Sequence, residues 1–77
     1  RTTIAWDLPR SGTLKVDVFD VRGRLVRNLV SGSEAAGPGS VAWEGLDNKG
    51  RRVRAGLYFA HIQGESGVQT LKITLVK

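Results

Sequence analysis

An all-β fold, an antiparallel sandwich of six or seven short strands, is predicted by three observations. Apolar and polar residues alternate with a period of about two in several segments, and turn signals recur roughly every ten residues. No window keeps the roughly 3.6-residue period of an amphipathic helix, which removes helical bundles and α/β folds. Short strands of this kind cannot bury their inner faces alone, so they must pair as two packed sheets. The chain has 77 residues with 40% hydrophobic and 25% charged side chains. A chain this short supports one thin core, and a single domain over residues 1–77 is expected.

The first strand is expected over residues 2–8, with Ile4, Trp6 and Leu8 on one face and Thr3, Ala5 and Asp7 on the other. Pro9-Arg10-Ser11-Gly12 ends it, and residues 13–19 repeat the pattern with Leu14, Val16 and Val18 inward. Asp20-Val21-Arg22-Gly23-Arg24 reads as a tight hairpin turn, with Gly23 supplying a positive φ. The next run, Leu25 to Val30, has adjacent apolar pairs that fit a bulge, burial on both faces or a short helix. Ser31 to Gly39, carrying three glycines and Pro38, is expected to be a loop.

Val41 and Trp43 restart the alternation in a short strand that ends at Gly45. Asp47-Asn48-Lys49-Gly50 is a turn, because Asp and Asn side chains bond their own backbone and Gly50 accepts a left-handed conformation. The most apolar stretch, Leu57 to Ile62, reads as a central strand with Tyr58, Ala60 and Ile62 on one face and Leu57, Phe59 and His61 on the other. Gly64-Glu65-Ser66-Gly67 turns the chain, and Val68 to Val76 closes it with Leu71, Ile73 and Leu75 inward. No internal repeat stands out at this level.

Composition narrows the chemistry. Cysteine is absent, so neither a disulfide framework nor a thiolate metal site is available. The longest apolar run, Leu57 to Ala60, falls far short of the roughly 20 residues of a transmembrane helix, and membrane insertion is not expected. The net charge of +5 is concentrated in Arg22, Arg24 and Arg27 and in Lys49, Arg51, Arg52 and Arg54. Such groups attract polyanions, but with no nucleic-acid-binding motif beside them a solvated surface is the preferred reading.

His61 is the single histidine and has no second ligand type near it in sequence, so a place on a sheet face is preferred over a metal site. No Gly-x-Ser-x-Gly turn accompanies it, and the seven acids are scattered, which argues against hydrolase chemistry. Asp47 and Asn48 offer too few oxygens for calcium, leaving a turn-stabilising role. Trp6, Trp43 and Tyr58 fall on inward faces and are assigned to the core rather than to a sugar platform, whereas the exposure of Phe59 is left open. No catalytic residue, metal or cofactor is expected.

Three stretches carry a family resemblance: residues 20–30 (DVRGRLVRNLV), 36–63 (AGPGSVAWEGLDNKGRRVRAGLYFAHIQ) and 70–77 (TLKITLVK). They resemble the immunoglobulin-like domain of the flagellar hook-capping protein, and are similar also to the C-terminal sorting domains of the type IX secretion system. The most distinctive part is the set Trp43, Glu44, Gly45, Asp47, Gly50, Arg51, Gly56, Leu57 and Tyr58. The family more usually has Asp at the place of Glu44 and a charged residue at that of Leu46. The turn from Leu46 to Arg51 favours the hook-capping version, while the ending at Lys77 resembles sorting tails.

The resemblance implies an immunoglobulin-like or fibronectin III-like sandwich in which Trp43, Gly45, Asp47, Gly50, Gly56 and Tyr58 have structural roles, and the alternation of the first strand adds Trp6 to them. Gly56 and Tyr58 resemble the tyrosine corner of sandwich folds, where a phenol bonds backbone a few residues upstream. Arg1-Thr2-Thr3-Ile4 has no initiator methionine and no signal-peptide features, so the chain is read as an excised fragment, and the resemblance implies the C-terminal module of a larger bacterial protein, secreted or at the cell surface. The main expectation is a non-enzymatic accessory domain in secretion targeting or surface attachment. Its partners would be the other domains of the parent and the secretion or attachment machinery. The alternatives are a hook-cap-like assembly or spacer domain, and a carbohydrate-binding module of a secreted hydrolase.

Overall fold

The computed structural model describes residues 2–65 and 67–76; Ser66, in the turn expected at 64–67, and the end residues Arg1 and Lys77 lie outside them. Six strands follow in order: β1 (Thr2–Leu8), β2 (Gly12–Asp20), β3 (Leu25–Glu34), β4 (Gly37–Trp43), β5 (Gly56–Gly64) and β6 (Gly67–Leu75). No helix occurs among the described residues. β1 and β4 form a two-stranded antiparallel sheet, and the other four form a second sheet in the order β3-β2-β5-β6. The architecture is the expected all-β sandwich.

Side-chain alternation decides what lies between the sheets. The smaller sheet contributes Ile4 and Trp43, and the larger contributes Leu14, Val16, Val18, Tyr58, Ala60, Ile62, Ile73 and Leu75, all buried. In β2, β5 and β6 the inward residues sit two apart, the spacing of one face of a strand. β5 runs between β2 and β6, so its run from Leu57 to Ile62 occupies the centre of the larger sheet.

Two segments depart from the expected layout. In β3 the register with β2 shifts between Val16 and Asp17 and again between Val18 and Phe19, so Leu29 and Val26 are each left unpaired beside their neighbours. These bulges resolve the adjacent apolar pairs: Val26, Leu29 and Val30 all pack against the core, and no helical turn is needed. The larger correction concerns Ser31–Gly39, which is not a loop. β3 continues to Glu34 by pairing with Gly12–Lys15, and β4 already begins at Gly37, opposite Leu8.

Backbone pairing overrides composition at both places. Ser31, Gly32 and Ser33 lie on an edge strand, where small polar side chains face solvent at little cost. Gly39 is opposite Trp6, and a Cβ at that glycine would come within 2.5–2.8 Å of the indole. The missing side chain is therefore what lets the ring lie across the strand. Trp6 itself is corrected from the expectation of a core tryptophan: it is half-buried and covers the rim of the interior, because the two-stranded sheet is too narrow to enclose it.

Candidate functional site: the strapped crossover between the sheets

Between Trp43 at the end of β4 and Gly56 at the start of β5, the chain crosses from one sheet to the other. Most of the distinctive residues lie on this crossover. Trp43 is buried, and its indole N–H donates to the carbonyl of Leu46 at 2.9 Å. The same ring meets Tyr58 edge to face, with centroids 5.1 Å apart and planes at 67°. Gly45 follows with φ of +77°, and a Cβ there would stand 3.4 Å from a methyl of Leu75, so both the backbone and the close contact favour glycine. The Val53 N–H donates to the Gly45 carbonyl at 2.9 Å and Leu46 bridges Arg52, folding the crossover back on itself.

At the tip stands Asp47. Its Oδ1 accepts the backbone N–H groups of Lys49 and Arg51, each at 2.9 Å, and its carbonyl accepts the Gly50 N–H at 3.0 Å. Arg51 Nε lies 3.7 Å from the other carboxylate oxygen, and Gly50 has φ of +78°. The exit is held by Tyr58, whose hydroxyl donates to the carbonyl of Arg54 at 2.6 Å, with Gly56 opening β5 at φ of +146°. Trp43, Gly45, Asp47, Gly50, Gly56 and Tyr58 are thus brought together on one crossover. Trp6 sits apart, against Gly39.

A second turn has the same construction. Asp20 Oδ1 accepts the N–H groups of Arg22 at 2.9 Å and Arg24 at 3.0 Å, its carbonyl accepts the Gly23 N–H, and Arg24 Nε lies 3.2 Å from Oδ2. Gly23 has φ of +82°. The pattern Asp-x-cation-Gly-Arg therefore occurs at 20–24 and at 47–51, a five-residue repeat not identified in the sequence analysis. In both, N–H donation to the ionised form holds the carboxyl below its ordinary value: chiefly from Arg24 to Asp20, and chiefly from Arg51 to Asp47.

Three bonds then tie the crossover to the edge of β3. The Asn48 N–H donates to the Val26 carbonyl at 2.9 Å, the Asn28 N–H donates to Asn48 Oδ1 at 2.9 Å, and Arg27 Nη1 donates to the Asp47 carbonyl at 3.1 Å. The strap covers part of an otherwise open edge, which would be a template for unwanted strand pairing. Through Asp47 and Asn48 the turn that carries Lys49 and Arg51 is thereby tied to the strand that carries Arg27.

The carboxylates of Asp20 and Asp47 are occupied by framework bonds, which leaves them poor candidates for moving protons or holding cations. Among the described residues no group of three or more His, Asp or Glu side chains converges in a way that could hold a metal ion. His61 lies on the outward face of β5, its ring 4.6 Å from that of Phe19.

These bonds tie the crossover at both of its ends and along β3. The family model for the FlgD Ig-like domain matches residues 1–68. The chain belongs to this family. Among solved structures, FlgD from P. aeruginosa is similar over 95% of this chain, with a TM-score of 0.67 and 28% sequence identity. The chain spans 58% of that FlgD chain. No curated protein matches it. The comparisons thus support the hook-capping side of the resemblance and give no support to the type IX sorting side. The FlgD Ig-like family match includes the whole strap from Trp43 to Tyr58.

Proposed function

We propose that this FlgD Ig-like domain is a non-catalytic structural module that serves assembly in an exported bacterial protein, in the manner of a flagellar hook cap. The observation that carries this reading is the family match over residues 1–68, together with the likeness to FlgD across nearly the whole chain. The bracing supports it: a crossover tied at both ends and along β3 suits a part that must keep its shape under load. Trp6, Trp43, Gly45, Asp47, Gly50, Gly56 and Tyr58 then serve as framework residues within a single domain, its partners being the neighbouring domains of the parent. Secretion targeting and surface attachment have no comparable support, and the burial of Trp43 and Tyr58 removes two rings from any sugar-binding platform.

Deleting residues 1–77 from the parent gene tests the proposal. The expected result is a parent still exported to the medium or cell surface but unable to assemble. Loss of export itself, with the remaining domains folded, would overturn the assembly reading in favour of targeting.

A further inference from the structure

The outer face of the four-stranded sheet carries an apolar row that the core does not use. Register places Leu25 opposite Phe19, Phe19 opposite Phe59 and Phe59 opposite Lys72, so one row crosses all four strands. Directly opposed residues project from the same side of a sheet. Phe19 and Phe59 are half-buried, yet neither belongs to the group packed against the core, which includes Val26, Leu29, Val30 and Leu71. Leu25 is 50% exposed and Leu57 38%, and Val21, 64% exposed, opens the turn that follows β2. The His61 ring tilts against Phe19 and extends the patch along β5.

The charge left unpaired at this patch is positive. Its two acids are already engaged. Asp17 accepts from Asn28 Nδ2 at 2.7 Å and lies 3.6 Å from Lys15 Nζ, while Asp20 holds Arg24 and two backbone N–H groups. Arg22, in the turn at this end, and Lys72, at the end of the row, form no ion pair with the described residues. A second copy of the chain is a poor occupant, since a two-fold contact would set these cations against themselves on a molecule of net charge +5. An apolar centre rimmed by uncompensated cations instead matches an acidic surface with apolar anchors.

We propose that this face, centred on Phe19 and Phe59, is a docking surface for an acidic, apolar segment of a partner protein. The inference goes beyond the assembly reading, because it follows from the face itself and holds whatever the parent does.

The test is a titration of the 15N-labelled chain with a short peptide of Leu, Phe and Glu. A version with Lys in place of Glu, polyglutamate, heparin and vesicles of phosphatidylglycerol serve as controls. Binding of the Leu/Phe/Glu peptide should move the amides of Phe19, Leu25, Phe59 and Lys72 and weaken about tenfold in L25S/K72E, the size of one lost interface anchor. Both substituted residues lie outside the core, and Leu57→Ser provides a second variant if the first loses its dispersed spectrum. Absence of shifts on this face, or equal binding of the Lys version, would overturn the proposal. So would polyglutamate or heparin binding as tightly, which would mark a polyanion site, or capture by vesicles alone, which would mark a lipid surface.

Discussion

The two Asp-x-cation-Gly-Arg turns use the same bonds for different ends. At 20–24 the turn joins β2 to β3, and its bonds close within those five residues: Asp20 N donates to the Arg24 carbonyl, and the carboxylate holds what lies between. At 47–51 an equivalent loop joins no two long strands and closes only on the isolated Leu46–Arg52 bridge. It instead reaches sideways to Val26, Arg27 and Asn28 and is anchored from below by Trp43. A local motif is therefore a stable unit that can be inserted wherever a chain must reverse, while its long-range contacts decide whether it merely turns the chain or braces two sheets.

The strongest way to break this comparison is to remove the anchor under only one turn. Trp43→Ala should cost about 3–5 kcal/mol, the usual range for truncating a buried aromatic, in a domain whose total stability is on the order of 5–10 kcal/mol. Urea unfolding followed by circular dichroism measures it. A loss below about 1 kcal/mol would mean that the crossover does not depend on its tryptophan.

Alanine at the two equivalent glycines sharpens the point. A Cβ at Gly23 or Gly50 meets nothing within 4 Å, so the only penalty is the left-handed backbone, about 1–2 kcal/mol at each. Equal losses in Gly23→Ala and Gly50→Ala are expected. A markedly larger loss at Gly50 would show that the bonds to β3 hold the strap too rigidly for the turn to relax.

Smaller again is Tyr58→Phe, which removes the bond to the Arg54 carbonyl and should cost about 1 kcal/mol. Hydrogen exchange gives the sharper reading. Amides of Val53 to Gly56 should exchange faster while those of Arg22 to Arg24 keep their wild-type rates, since the phenol secures the crossover alone.

Much of this layout could be read from the residues. Alternation in β1, β2, β5 and β6 follows directly from one buried and one solvated face, and the turns announce themselves through Asp and Gly. The tail of β3 and the start of β4 were hidden because Gly-Ser and Gly-Pro-Gly look like loop. Only their pairing to β2 and β1, and the need for a gap beneath Trp6, make them strand. Within the crossover, Trp43, Gly45, Asp47, Gly50, Gly56 and Tyr58 were all visible in sequence. The tie to β3 was not: it rests largely on backbone groups such as Asn48 N–H and the Val26 carbonyl, which every residue carries. The repeated five-residue motif stands in plain letters at 20–24 and 47–51.

The smallest expected effect bears on the two aspartates themselves. Each has a folded-state pKa below its unfolded value, so the unfolded chain binds more protons in the window between them, and stability rises with pH there. The contribution is fully present above the unfolded value of about 3.9 and is lost as pH falls through the folded values. Carboxyl-detected NMR titration should find both groups below the ordinary aspartate range, and the acid limb of stability should flatten in the double variant D20N/D47N. The single variants should then differ in reach. Asp20→Asn should shift only amides of its own turn, whereas Asp47→Asn should also shift Arg27 and Asn28 across the strap. Identical, purely local responses would mean that the second turn braces nothing.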